Sequence, residues 1–361
     1  PRNGVGSIGF HKFETEKEFR DRLESGELDV DQYVVQEFVR FDKRIGTYLF
    51  VDQNRVQVPG INPEKYTLDS TFYDVVRNND WTLDVMTNIV KDFWRDNPSV
   101  GIRHDRDAED RFGMVAPAWT DADAFGYAFG LRFVENDGIS TPTLWTWDGR
   151  QYDAALAVRE LFYSDGTWMD SSCQYLADRA AFFAQEDRVL FELNTLGSLK
   201  YEVIHSMEQD FGVLPYPKYD RNQSKYYTGS ADNYTVLLVP YTALWDLERL
   251  RMTGALIEAL SAENCKSVKD TYYDEIITHH NVVDGDSAEM IDIIMAGRVY
   301  NLSVYHYYDL TLGGTPIAIM FRHLVRNSQQ DIVQFWQSNS GSLEIQMSEL
   351  LVKYNAILQP A

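Results

Sequence analysis

The chain has 361 residues, 44% apolar and 24% charged. That is the balance of a globular protein of two or three domains, and it excludes collagen-like and wholly disordered classes. The net charge is −22, from 33 basic and 55 acidic residues, so a phosphate backbone would be repelled; no Lys/Arg run offers a local exception, and nucleic acid is not an expected partner.

The first 45 residues read as mainly helical. Thr15-Glu16-Lys17-Glu18 begins like a capping box, with Phe19 and Leu23 following at i, i+4, and Val34, Val35, Phe38 and Val39 share one face of 31–40. Residues 47–52 read as a strand, and Pro59 and Pro63 mark a loop. Trp81-Thr82-Leu83-Asp84 opens a helix with Thr82 at the N-cap and Met86, Ile89, Val90 and Phe93 as its apolar stripe. A polar loop fills 97–110. Helices are expected over 122–133 and 154–163, a strand over 188–193, a strand end at 211–215 and a buried strand over 234–239. Beyond Pro240, Leu247, Leu250, Ile257 and Leu260 mark a long amphipathic helix. Another starts near Asp286-Ser287, carries Met290, Ile291 and Ile294, and stops at Gly297 as its C′ residue. One or two helices close the chain from Gln329. The alternation of helix and strand signals indicates an α/β or α+β fold. The longest apolar stretches, 235–245 and 316–321, fall short of the about 18–20 residues of a membrane-spanning helix.

Aromatic residues make up 14% of the chain, with 22 Tyr and 8 Trp. They suit either a large aromatic core or a stacking surface for sugars or bases. Cys173 and Cys265 can form one disulfide or remain two thiols, and no cysteine or histidine spacing is that of a zinc site. The chain contains no GxSxG elbow, P-loop, GxGxxG after a strand, or HExxH. His279-His280 point about 100° apart on a helix and cannot share one metal through one face. Asp105, Asp107, Glu109 and Asp110 alternate as in a calcium loop but lack its central Gly and twelfth-position carboxylate, so they read as a solvated acidic loop. With 55 acidic residues, a glycosidase carboxylate pair cannot be picked out by spacing.

The longer signals are Tyr73–Asn79 followed by Trp81-Thr-Leu-Asp84, the Asp-rich loop ending Asp110-Arg-Phe-Gly113, Phe211-Gly-Val-Leu-Pro-Tyr-Pro-Lys218 with Gln223 and Tyr226-Tyr227 behind it, and Asp286-Ser-Ala-Glu-Met-Ile-Asp-Ile-Ile294 followed by Arg298-Val-Tyr300. In this order, over 46–354, the chain resembles the family 1 extracellular solute-binding proteins of bacterial ABC importers, above all their sugar-binding lipoproteins. The resemblance implies an α/β, type II periplasmic-binding-protein fold of two lobes joined by a hinge that the chain crosses more than once. It implies a monomeric, non-enzymatic receptor with no catalytic residue, cofactor or metal. Such a receptor takes a small-molecule carbohydrate and hands it to an ABC permease in the membrane. Its location would be extracellular, anchored through an N-terminal lipid anchor removed from or missing in this chain, or periplasmic. A sugar's C–H faces suit aromatic rings, and its hydroxyls suit Asp, Asn, Gln and Arg.

On this reading 47–215 with 299–361 form one lobe, and 1–46 with 216–298 form a smaller, incomplete N-terminal-type lobe, with Pro215-Tyr-Pro217 at a crossing. The ligand edge is expected at Trp119, Thr120 and Asp121, where a strand gives way to a helix, and at Asn194 and Thr195 after the next strand. Asp232 and Asn233, in the Gly229–Tyr234 hinge segment, complete the set. Residues 1–46 offer at most one strand, near 4–10. The smaller lobe should therefore be short of strands and leave an edge or apolar patch uncovered, and sugar capture should be weak. A glycoside hydrolase, or a surface protein with a degenerate lobe, is the competing reading.

Overall fold

The computed structural model describes residues 71–97, 110–116, 120–135, 142–144, 149–168, 181–184, 188–197, 211–229, 239, 246–268, 285–327 and 329–358. The expected helices and strands before residue 71, the acidic loop at 98–109, Cys173, His279-His280 and the strand over 234–238 lie outside these residues. Within them the chain is mixed α/β, as expected.

Helix α1 (Phe72–Arg77) is closed by a capping box. Thr71 Oγ1 accepts from Asp74 N at 3.2 Å, and Asp74 Oδ2 accepts from Thr71 N at 3.2 Å. Helix α2 (Leu83–Phe93) buries Leu83, Met86, Ile89, Val90 and Phe93, the stripe legible in the sequence. Thr82 does occupy its N-cap, but its hydroxyl donates to the Asp84 carboxylate and caps no backbone N–H. The α2 entry is instead fixed by a backbone bridge, with Leu83 N donating to Lys218 O at 2.8 Å and Lys218 N to Trp81 O at 3.0 Å.

The central sheet has the order β4-β1-β5, all parallel: β1 (Phe112–Val115) lies between β4 (Thr167–Trp168) and β5 (Val189–Glu192). Parallel neighbours need a crossover. Between β1 and β4 the chain runs through α3 (Thr120–Ala128), the antiparallel pair β2 (Val134–Glu135) and β3 (Thr143–Leu144), and α4 (Gly149–Phe162). Adjacent residues of a strand point to opposite faces, and all four residues of β1 are buried. Met114, Leu190 and Phe191 join the main core, while Phe112, Val115 and Val189 join a smaller one with Phe182, Phe183 and Phe211. The sheet is thus covered on both faces, as parallel sheets must be. Two glycines let α2 lie directly on it: a Cβ at Gly113 or at Gly166 would fall 2.3 Å from the Val90 carbonyl oxygen.

Helix α3 ends at Ala128, five residues short of the expected Phe133. Gly130 adopts φ +72°, and Leu131 N→Gly126 O (3.0 Å) with Gly130 N→Tyr127 O (2.9 Å) close a Schellman motif there. Helix α4 begins at Gly149, five residues before the expected start. Residues 211–215, expected to end a strand, have no regular secondary structure; the isolated bridge comes later, at Lys218 with Thr82.

After α6 (Gly285–Ala296), β7 (Arg298–Val299) pairs in parallel with the earlier β6 (Thr228–Gly229). Gly297 does end α6, but not as a left-handed C′ residue, since it is not among the positive-φ glycines. It is needed because a Cβ would lie 2.4 Å from the Tyr226 carbonyl oxygen, where β6 passes. Tyr226 and Met290, from segments assigned to the smaller lobe, share the main core with Phe72, Trp81 and Met114. Helix α7 (Leu302–Tyr305), the hairpin β8 (Thr311–Leu312)–β9 (Thr315–Pro316) and α8 (Met320–Arg326) lead to a single terminal helix, α9 (Ile332–Leu358). Helix α8 packs on α3, where the partly buried Arg322 donates to Asp123 through its backbone N (3.0 Å) and its side chain.

The long helix predicted around Leu247–Leu260 forms as α5 (Leu247–Glu263), capped by Asp246 and continued by a π turn at Asn264–Val268. It buries none of its residues, and Leu247, Met252, Leu256 and Leu260 are all exposed. Among the described residues no helix is long and apolar enough to cross a membrane, and Cys265 is an exposed free thiol.

Candidate functional site

In open α/β sheets, polar groups at the carboxyl ends of parallel strands are the ones free to meet a ligand, because the chain leaves the sheet there for loops and helix N-termini. Here β1 and β5 run side by side in register, Val115 opposite Glu192, with Leu193 N donating to Val115 O at 3.3 Å. Both segments therefore leave the sheet from one edge. Beyond β1 the chain enters α3 at Thr120 with Asp121 in the first turn; beyond β5 it continues into Asn194 and Thr195. Four of the residues expected to meet ligand, Thr120, Asp121, Asn194 and Thr195, are thus brought to one edge. Trp119, Asp232 and Asn233 lie outside the described residues. Gly229, at the start of the expected hinge segment, is held in β6 against β7.

The geometry is polar and largely fixed. Asp121 is buried, and its Oδ1 accepts from Tyr216 Oη at 3.5 Å. Asn194 Nδ2 donates to Glu192 Oε1, and Thr195 N donates to Asn194 Oδ1 at 2.8 Å, which closes a tight polar turn at the end of β5. The Pro215-Tyr-Pro217 segment crosses at the same level. Trp81 Nε1 donates to Pro215 O at 2.9 Å, and the Tyr216 ring stands edge-on to Phe125, centroids 5.1 Å apart at 85°. Beneath lies a triad of rings, Phe72, Trp81 and Phe191, with centroids 5.7–5.8 Å apart. These rings are buried in the core, and the carboxylate and amide groups stand at the ends of the segments above it.

Tyr216 and Glu192 belong to this edge but were not singled out from the sequence. For Tyr216 a signal existed, since prolines on both sides restrict its backbone and fix where the ring points. Glu192 carried none, being one carboxylate among many in a short strand. Lys218, three residues past Pro215, is a buried cation. Its Nζ donates to Gln223 O at 3.0 Å and lies 5.5 Å from the centre of the Tyr226 ring; burial pulls its pKa below the usual lysine value. Those contacts account for it as part of the fold. A shallow hollow of about 10 Å³ lies between α3 and α8, lined by Asp123, Tyr127, Phe133, Asn301 and Phe321 among others. Asp123 is already engaged there by Arg322, and the Asn301 side chain by Ser303 N at 3.0 Å. Among the described residues no group of three His, Cys, Asp or Glu side chains is placed to hold a metal ion.

Compared with known proteins, the chain matches no protein-family model, no curated protein and no solved structure.

Proposed function

We propose that the chain is a solute-binding receptor of the type II periplasmic-binding-protein kind. On this reading it captures a carbohydrate outside the cytoplasmic membrane and delivers it to an ABC permease, without chemical conversion. The observation that carries the reading is that Asp121, paired with Tyr216, and the Asn194–Thr195 turn both follow parallel, paired strands at their carboxyl ends. The overall charge of −22 favours a neutral or cationic solute over an anionic one. The ordered motifs from Trp81 to Tyr300 support the same class. The exposed apolar side chains of α5 accord with weak capture.

A thermal-shift screen over mono-, di- and oligosaccharides tests this. At 100 mM sugar, a Kd near 1 mM corresponds to about 2.7 kcal/mol of added stability, a readily visible rise in Tm. Asp121→Asn and Asn194→Ala should each reduce the rise for the sugar that gives it, with little change in the Tm of the sugar-free protein. A screen without any shift would defeat the proposal. Asp121 and Glu192 give the hydrolase reading one specific support, since they place two carboxylates on the same edge. Turnover of labelled oligosaccharides would replace the receptor by that enzyme.

A further inference from the structure

Many of the large aromatic side chains among the described residues are buried, but the turn after α7 does the opposite. In Tyr305-His306-Tyr307-Tyr308, Tyr308 is 89% exposed and Tyr305 is 52% exposed. The Tyr307 and Tyr308 rings meet at 73° with centroids 5.0 Å apart, so they form an open corner. The turn that carries them is firmly held. His306 Nδ1 lies 3.0 Å from Asp309 Oδ2, and its Nε2 lies 2.6 Å from the Tyr354 hydroxyl on α9. Asp309 N and Leu310 N both donate to His306 O at 3.1 Å, and Leu310 is fully buried. Lys353 Nζ stands 3.7 Å from Asp309 Oδ1, which adds a donor and an acceptor at the rim.

We propose that this pinned tyrosine turn is a surface binding platform for a neutral saccharide chain, separate from the sheet edge. Rings fixed in place before a ligand arrives lose little conformational freedom on binding. The flat C–H face of a pyranose can lie on one ring of the corner while the other ring flanks it, with Lys353 and Asp309 in reach of its hydroxyls. Size selects the occupant. Covering the exposed parts of three tyrosines buries roughly 300–500 Å², below the ~800 Å² per partner of a stable protein interface but ample for one to three sugar rings. Charge argues the same way, since a chain of net charge −22 is repelled by nucleic acid and by anionic lipid surfaces. The platform does not depend on the function proposed for the sheet edge, and it would stand if that edge bound nothing.

Native affinity electrophoresis in gels containing soluble starch, xylan, galactomannan or mixed-linkage β-glucan reads it out. At least one polymer should retard the protein. Tyr305→Ala combined with Tyr308→Ala should weaken the apparent affinity at least tenfold, whereas Tyr308→Phe, which keeps the ring, should stay within about threefold. Gly254→Ala, on α5 with open space around the new methyl group, should be retarded like the unaltered protein. The proposal is overturned by no retardation in any gel, by a double alanine variant that runs like the unaltered protein, or by an equal loss of retardation in Gly254→Ala. It is also overturned if these tyrosines instead prove to hold the protein on phosphatidylcholine vesicles. Both tyrosines are more than half exposed, so the variants should fold, and unchanged urea midpoints would confirm it.

Discussion

Single residues show how little slack the packing leaves. At Gly113 a methyl group would meet the backbone of Val90, which cannot rotate aside. Gly113→Ala should therefore lower the unfolding free energy by at least about 1–3 kcal/mol, the cost of forcing extra volume into a packed core. Gly254 is the internal control. It lies inside α5 with nothing near its missing Cβ, so Gly254→Ala should stabilise by about 0.5–1 kcal/mol through helix propensity alone. Urea unfolding of the two variants should move in opposite directions, and equal shifts would refute the close contact at Val90. The Asp123–Arg322 pair belongs to the same scale. Asp123→Ala removes the carboxylate met by both the backbone N and the partly buried side chain of Arg322 and should cost about 3 kcal/mol, while adding Arg322→Met should recover much of the loss. If the double variant is as unstable as the single one, the pair is not what Asp123 contributes.

Among the elements, α5 and α8 behave in opposite ways. Helix α5 has good caps and an apolar pattern yet buries nothing, and Leu256 is 59% exposed. Leu256→Glu should therefore change stability by no more than about 0.5 kcal/mol, as exposed substitutions do. A loss of 2 kcal/mol or more in a urea melt would mean that another part of the chain covers this face. Helix α8 is packed from several sides, and its His323 lies 5.6 Å from the Phe335 ring. Burial, with the nearby Arg326 charge, lowers the His323 pKa below the usual 6.5. A depressed pKa means that the folded state holds the neutral ring. The associated stability is complete above about pH 6.5 and is lost as the pH falls through the folded value. Tm measured between pH 7.5 and 5 should fall more steeply for the natural chain than for His323→Gln, and parallel curves would contradict this. Asp309, lowered chiefly by its hydrogen bond with His306, acts at more acidic pH, with stability present above about 3.8 and lost below it.

For the molecule as a whole, charge is the dominant feature. With 55 acidic against 33 basic residues, like-charge repulsion opposes compaction. The ion pairs that offset it, such as Arg77 with Asp74 (3.0 Å), Asp286 and Glu289 (2.6 Å), join α1 to α6 at the surface. Salt screens both, but the excess of repulsive pairs should dominate, so raising NaCl from 10 to 300 mM should move the urea midpoint upward. A downward shift would show that networks like that of Arg77 outweigh the net charge.

Local signals sufficed wherever an element is made by its own residues. The stripe of α2, the long helix around Leu247–Leu260, the course of α6 to Gly297 and the mixed α/β class were legible, because helical periodicity involves neighbours in sequence. So was the placement of Asp121 and Asn194 at segment ends, since a strand followed by polar residues announces its own edge. That those two ends share one edge depends on β1 pairing with β5 across more than seventy residues, which no local pattern encodes. The same holds for Gly113 and Gly297, whose need for glycine comes from Val90 and Tyr226 and not from their own backbone angles. The exposure of α5 is likewise a tertiary fact, because an apolar stripe states what a helix can bury but not whether anything lies against it. Sequence determined which segments are helices and strands, since that is short-range chemistry, and tertiary structure decided which side chains meet, since that rests on contacts between distant parts of the chain.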